Sequence, residues 1–278
     1  MKAHSLHRLL GSLYNRPHLI VPESFDVILD YLADRNSDAF RFSDDTYAPK
    51  TVGYHNKRVG VLMVDGSLTY KPVMSACGEV GTSYQALVAQ VEEMASEGVK
   101  TIVMEVTSGG GEAGHCFETA AEIRSIADSN GIELVGYADT LACSAAYALI
   151  SVCDEVIANP SATVGSIGCV VALMDTSKAM AQAGLKRIFI TSGDNKVPFA
   201  ADGSFKQEFL DEIQADVTRL NIEFANHVSE FTGVDVETII GLQAKSFSAD
   251  EALEIGLVNA VMTSKQFAAY VAAKQGLK

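Results

Sequence analysis

From Val59 onward, short strand-like runs alternate with helix-like ones, and no other feature restricts so strongly what this chain can fold into. Apolar and β-branched stretches at 59–64, 101–106, 133–137, 155–158, 169–174 and 187–191 predict strands. Between them, 83–96, 115–127, 144–151 and 176–183 predict helices. Parallel neighbours in a sheet need a crossover between them, so the alternation implies an α/β fold with a mainly parallel sheet covered by helices. The longest periodic stripe follows: Phe205, Phe209, Ile213, Val217, Leu220, Phe224, Val228 and Phe231 are spaced by three or four before Gly233 as a stop. Such a stripe reads first as core contact, and its length leaves part of it for a neighbouring subunit.

The N-terminal part reads differently. Phe25, Ile28, Leu29 and Leu32 after Pro22 predict a helix over 23–34, and a polar, turn-rich stretch then runs to Asn56. A boundary near His55 separates an N-terminal helical extension and linker, residues 1–55, from the main domain, residues 56–278. With 48% apolar and 20% charged residues in 278, the chain has the composition of a soluble globular protein. Its 35 acidic against 21 basic residues give a net charge of −14 and no basic stripe, so nucleic acid is not the expected partner. Five cysteines (Cys77, Cys116, Cys143, Cys153, Cys169) without a C-x-x-C pair fit neither a disulfide framework nor a zinc site, and point to a reducing compartment. No apolar run approaches the ~18 residues of a membrane span and the N-terminus has no apolar signal core. The expectation is a cytoplasmic protein with no membrane partner, no metal and no cofactor.

Three stretches can carry chemistry. In VTSGGGEAGHCFETAAEI, Gly109, Gly111 and Gly114 satisfy G-x-G-x-x-G, which alone suggests a dinucleotide site. Only Asp139 is on offer as its acidic partner, and late. The same glycines can instead turn backbone N–H groups toward a developing oxyanion, or form a plain tight turn. In DTLACSAAYALIS, Ser144 opens a small-residue helix; the local sequence alone favours a helix cap over a nucleophile. Cys143 beside it is a rival with no nearby histidine. The six histidines (His4, His7, His18, His55, His115, His227) sit poorly for a base, although a triad can be assembled from distant parts of a chain. In FITSGDNKVPF, Lys196 is flanked by Val197, Pro198 and Phe199, which would strip water from its amine and let it accept a serine proton; alone it reads as a surface lysine.

In this order the three stretches resemble the S49 peptidase family, both its signal peptide peptidase A type and, more closely, the capsid-assembly proteases of lambda-like phages, over about residues 55–262. Cys143-Ser144-Ala145-Ala146-Tyr147 with Gly165-Ser166-Ile167-Gly168 resembles the nucleophile region, and Ser192-Gly193-Asp194-Asn195-Lys196 resembles the segment bearing the base. The resemblance implies a Ser144/Lys196 dyad, 52 residues apart, with Ser166 orienting the lysine. Ser108-Gly109-Gly110-Gly111 matches the oxyanion loop except that the family's proline is missing. Gly111, or Gly110 one register along, and Ala145 would be the donors. SFSADEALEIGLVNAV resembles the family's closing helix and strand.

By this resemblance the fold is the ClpP/crotonase type, a spiral of strand-strand-helix units that assembles into rings, in which serine and lysine of one site can come from adjacent subunits. The implied activity is endopeptidase action on scaffold, portal or capsid proteins inside a phage or prophage prohead in the host cytoplasm, by a homo-oligomer without cofactor. A substrate would bind extended along the backbone just after the glycine loop. Lambda-like members continue into a scaffold-like extension, whereas this chain stops at Lys278. Alternatives of other classes are a soluble signal-peptide-peptidase-like protease, a crotonase-like acyl-CoA enzyme that would need neither Ser144 nor Lys196, and an inactive ring-forming structural protein.

Overall fold

A computed structural model describes residues 17–21, 40–42, 59–75, 78–79 and 81–274. The helix expected at 23–34 and the boundary near His55 lie outside the described residues. In chain order the strands are β1 (His18–Ile20), β2 (Phe40–Phe42), β3 (Val59–Asp65), β4 (Leu68–Thr69), β5 (Val73–Ser75), β6 (Gly78–Glu79), β7 (Thr82–Ser83), β8 (Thr101–Ser108), β9 (Gly110–Glu112), β10 (Glu133–Cys143), β11 (Glu155–Ala158), β12 (Thr163–Gly165), β13 (Ser246–Ser248) and β14 (Ala260–Val261). The helices are α1 (Tyr84–Ser96), α2 (Cys116–Asn130), α3 (Ala145–Ile150), α4 (Ser177–Gln182), α5 (Gln207–Thr232), α6 (Val236–Gly241), α7 (Ala249–Ile255) and α8 (Ser264–Lys274), with a 3-10 turn at Asp194–Lys196.

The central sheet has seven strands, and β3, β8 and β10 form its parallel spine. One edge of β10 pairs with β8 along almost its whole length. The other edge is shared: β11 lies against Val135–Ala138 and β12 against Leu141–Cys143, both parallel. Sharing is possible because β10 carries an irregularity between Ala138 and Leu141, where Asp139 and Thr140 are extra against β8. An insertion of this kind bends a strand and increases its twist, so the second half of β10 is re-aimed. Antiparallel β13 closes the sheet on β12, and β14 extends it beside β11. The closing segment is thus the helix and short strands that its sequence implied, opened by a capping box between Ser248 and Glu251.

Helices α1, α2 and α3 bury apolar faces on one side of this sheet. Tyr84, Leu87, Val91 and Met94 of α1 recur at helical spacing and are buried, after a cap in which Ser83 Oγ accepts from the Ala86 N–H at 3.3 Å. On the opposite face, Phe267 of α8 joins Val103, Val135, Tyr137 and Ile157, its ring stacked on Tyr137 at 4.1 Å. Every residue of α3 is buried, which accounts for a sequence with no charged or strongly polar residue apart from the Tyr147 hydroxyl, which donates to Leu257 O at 2.7 Å.

Three expectations need correction. Residues 169–174 and 187–191 are not strands; the first makes one isolated bridge, Val170 with His18, and the second is irregular and exposed. A β-rich run becomes a strand only with a hydrogen-bonding partner along its length, and among the described residues these two runs have no more than the Val170–His18 bridge. The stripe on α5 is also only partly core: Phe224, Ala225 and Val228 are buried, whereas Phe209, Ile213, Val217 and Leu220 are half-buried. The N-terminal stretch contributes one described segment to the core. Pro17–Val21 is seated on the main body, with β1 antiparallel to β9.

Candidate active site

Ser144 lies at the turn between the re-aimed end of β10 and α3. Its backbone has φ 58° and ψ −124°, a region that L-residues other than glycine occupy at a cost of about 1–3 kcal/mol. The strain is held from both sides: its N–H donates to Gly165 O at 2.8 Å and its carbonyl accepts from Ala148 N at 3.0 Å. Its side chain makes no cap bond, so the helix-cap role favoured by the local sequence is not the one it plays. Instead Oγ donates to Gly168 O at 3.3 Å, within the Gly165–Gly168 turn, and the residue is fully buried. A strained serine on a strand-to-helix turn presents its hydroxyl away from both elements, the geometry that nucleophile elbows use.

The glycine loop meets this turn. Ser108 is buried; its Oγ donates to Gly66 O at 2.6 Å and accepts from the Gly110 N–H at 3.1 Å, tying the loop to β3 and occupying that N–H. Gly110 has φ 101°, and a Cβ built on it would lie 2.1 Å from Leu19 O and 3.0 Å from Ala145 N. Three backbones therefore converge where a side chain would block them. Val21 N donates to Gly109 O at 2.9 Å, and hydrogen-bonded pairs in an antiparallel ladder recur every second residue, so the Leu19–Gly111 pair exchanges both bonds. The Gly111 N–H thus faces β1 and the Leu19 carbonyl. The Ala145 N–H opens α3 and has no acceptor within the helix. Because paired strand β9, not a helix, follows the glycines, and α2 begins only at Cys116, no phosphate cradle of the dinucleotide type forms.

The other candidates are dispersed. Cys143 is buried with its sulfur toward Thr163 O (3.6 Å) and Ser246 Oγ (3.9 Å), as alternation along β10 requires, so it is not a second nucleophile at this turn. Burial raises the other thiols, Cys116 to about 12 and Cys169 to about 11. His115 is turned away, stacked on Tyr70 at 3.8 Å and paired with Glu118 at 2.7 Å. Ser166 is buried at φ 50°, its N–H donating to Lys245 O at 3.0 Å. Lys196 is exposed, in the 3-10 turn of a segment whose Leu185, Ile188, Phe189 and Ile190 are exposed as well. Among the described residues its amine makes no hydrogen bond or ion pair, so the water-stripped setting expected from its apolar neighbours is not formed within one chain. Of its apolar neighbours, Phe199 belongs to a ladder of rings, Phe189, Phe199, Phe205 and Phe209, with centroids 5.9, 5.0 and 5.7 Å apart.

His227 anchors α5 to the helix that follows Ser144. Its Nε2 donates to Ala148 O at 2.9 Å, which also accepts from the Ser151 hydroxyl at 3.0 Å. Burial lowers its pKa, with the Ala148 carbonyl and then Glu230 and Glu223 opposing the shift. A histidine held neutral in the native state contributes stability above the unfolded pKa of about 6.5 and loses it as pH falls further, because only the unfolded chain then takes up the proton. Thermal unfolding should therefore shift to lower temperature between pH 7 and pH 5, and His227→Gln should flatten that part of the profile. An unchanged slope in the variant would show that other groups set it.

Two features of this region lie outside the motifs of the sequence. Ser108 reads from sequence only as part of the loop. His18 to Val21 carries the one signal that could have marked its strand, two prolines bracketing histidine, leucine, isoleucine and valine.

A parallel α/β sheet with a strained serine at a strand-to-helix turn, beside a glycine loop that aims N–H groups at the same space, defines a hydrolase-type site. The comparisons agree on which one. The model of peptidase family S49 matches residues 126–278, more than half the chain, and the chain belongs to that family. Its fold is accordingly the α/β, ClpP/crotonase-like one. Similar proteins include the head-tail preconnector protein GP5 of Enterobacteria phage P21, 26% identical over 74% of this chain and 41% of that protein. The capsid assembly protease C of Escherichia phage lambda is 25% identical over 74% and 47%, respectively. A putative signal peptide peptidase SppA of Enterococcus faecium is 23% identical over 75% of this chain and 61% of its own length. The chain spans less than half the length of the two phage relatives it matches. Among the described residues no helix is long and apolar enough to cross a membrane, and no group of three or more His, Cys, Asp or Glu side chains is arranged to hold a metal ion.

Proposed function

We propose that this chain is a serine endopeptidase in which Ser144 is the nucleophile, Lys196 the general base, Gly111 and Ala145 the oxyanion donors, and Ser166 a residue that orients the lysine. The observation that carries the reading is the strained, buried Ser144 turn set against the glycine loop. Of the two loop donors, Gly111 is favoured over Gly110, whose N–H is engaged by Ser108. Hydrolysis would run through an acyl-enzyme: Lys196 takes the Ser144 proton, the two N–H groups hold the tetrahedral oxyanion, and the lysine returns the proton to the leaving amine. The phage relatives support a role in prohead maturation, with scaffold, portal or capsid proteins as substrates.

The working form in this proposal is a homo-oligomeric ring in which Lys196 reaches the Ser144 turn of an adjacent copy. Four features of the arm between Val170 and α5 support it. Among the described residues its β-rich runs lack partner strands, Ile188 and Ile190 are 76% and 98% exposed, the first half of the α5 stripe is incompletely covered, and Lys196 is exposed whereas Ser144 is fully buried. A neighbouring copy would supply strand partners, cover these side chains and desolvate the amine.

Digestion of purified scaffold, portal and capsid proteins, with casein as a general substrate, tests the activity. Wild type should cut at least one of them and Ser144→Ala none. Cleavage by the alanine variant at the wild-type rate would remove the nucleophile assignment, and no cleavage by wild type would remove the protease reading.

A further inference from the structure

The place beside the serine where an extended substrate would lie is filled by the chain itself. Pro17–Val21 runs between two backbones, not along one. On one side β1 is antiparallel to β9, Leu19 opposite Gly111. On the other, His18 exchanges both backbone bonds with Val170, at 2.8 and 2.9 Å. An extended segment of five residues held from both sides, with His18, Leu19, Ile20 and Val21 all buried, has the hydrogen-bonding pattern of a bound peptide. Its direction is specific: the chain passes the glycine loop so that the Leu19 carbonyl points at the Gly111 N–H, and the Leu19 oxygen and the Ala145 N both crowd the point where a Gly110 side chain would be. Ser144 directly precedes Ala145. The carbonyl that faces the Gly111 N–H beside the Ser144–Ala145 turn is therefore that of Leu19, which puts the Leu19–Ile20 bond at this turn. Behind it, Pro17 and His18 form part of the wall of an open cleft of about 680 Å³ that Glu112, His115 and Arg219 also line.

We propose that Pro17–Val21 is a built-in substrate strand and that the enzyme cleaves its own Leu19–Ile20 bond; this rests on the protease reading above. The Ser144 oxygen forms an ester with the Leu19 carbonyl carbon, the C–N bond to Ile20 breaks, and the serine proton passes through the general base to the Ile20 nitrogen. Water then hydrolyses the ester, leaving a Leu19 carboxylate and a protein that begins at Ile20. Until that cut, the strand excludes other substrates from the site.

The test is mass spectrometry of the intact full chain over a time course, run beside casein digestion. Wild type should accumulate a species beginning at Ile20, with casein turnover rising as it forms, and Ser144→Ala should keep its N-terminus. Ile20→Pro should block the cut and hold casein turnover at least tenfold below wild type, because the strand stays in place. A synthetic peptide of residues 14–26, which avoids any folding defect of the variants, should be cut between Leu19 and Ile20 by wild type. Casein digestion by a wild-type chain whose Leu19–Ile20 bond stays whole, or a cut at another bond of that peptide, would overturn the proposal and leave the protease reading standing. Failure to cut casein, phage proteins, peptide and chain alike would overturn both.

Discussion

Ser144→Ala and Lys196→Ala are each expected to lower peptide hydrolysis by a factor on the order of 10⁴ or more, with the double variant little worse than either. Nucleophile and base act as one unit, so removing one already forfeits what the pair supplies, and the remainder comes from binding and the oxyanion donors. Neither change should disturb the fold. Alanine removes a strained serine hydroxyl whose one hydrogen bond is 3.3 Å long, and Lys196 is exposed. The informative experiment mixes the two inactive proteins. If the lysine of one copy serves the serine of the next, some interfaces in a mixed ring carry both wild-type groups and activity returns. Sedimentation of a fully active monomer would reject the ring, and a stable oligomer that exchanges subunits without complementation would reject only the shared site.

Gly111→Ala is expected to abolish activity and to destabilise the protein by about 3 kcal/mol, the upper range for forcing extra volume into a packed interior. A Cβ there would lie 1.9 Å from Leu68 O and 2.6 Å from Leu68 C and N. All of these are backbone atoms of a paired strand, with no rotamer to retreat into. Relief requires β4 and β9 to separate, which moves the Gly111 N–H off the site and frees Glu112, whose carbonyl accepts from Tyr84 Oη at 2.6 Å. Thermal unfolding and casein turnover measured on the same sample check both halves. By contrast, Gly114→Ala meets nothing within 4 Å and should leave both near wild type. Equal effects at Gly111 and Gly114 would mean that loop flexibility, not the close approach, is what the glycines provide.

The local pattern of the sequence determined those elements that complete their hydrogen bonds among near neighbours or in the central sheet. Tyr84–Ser96, Cys116–Asn130, Glu155–Ala158 and Gln207–Thr232 fall within a few residues of where periodicity and capping put them, because a buried face and a cap are both local patterns. The resemblance to the S49 family, which the family match bears out, singles out the glycine loop, Ser144, the Gly165–Gly168 turn and Lys196 as candidates without knowing which side chains touch. Tertiary structure decided the rest. Whether 169–174 and 187–191 are strands depends on a partner edge, of which the described residues supply only the Val170–His18 bridge. Ser144 reads as a helix cap until its φ of 58° and its bond to Gly168 are known. The segment at 17–21 becomes a strand only because β9 and Val170 leave two backbone edges facing each other at its own width, 90 residues and more further along the chain. Sequence patterns report what a residue prefers; only the assembled sheet decides which backbone edges are left for it to meet.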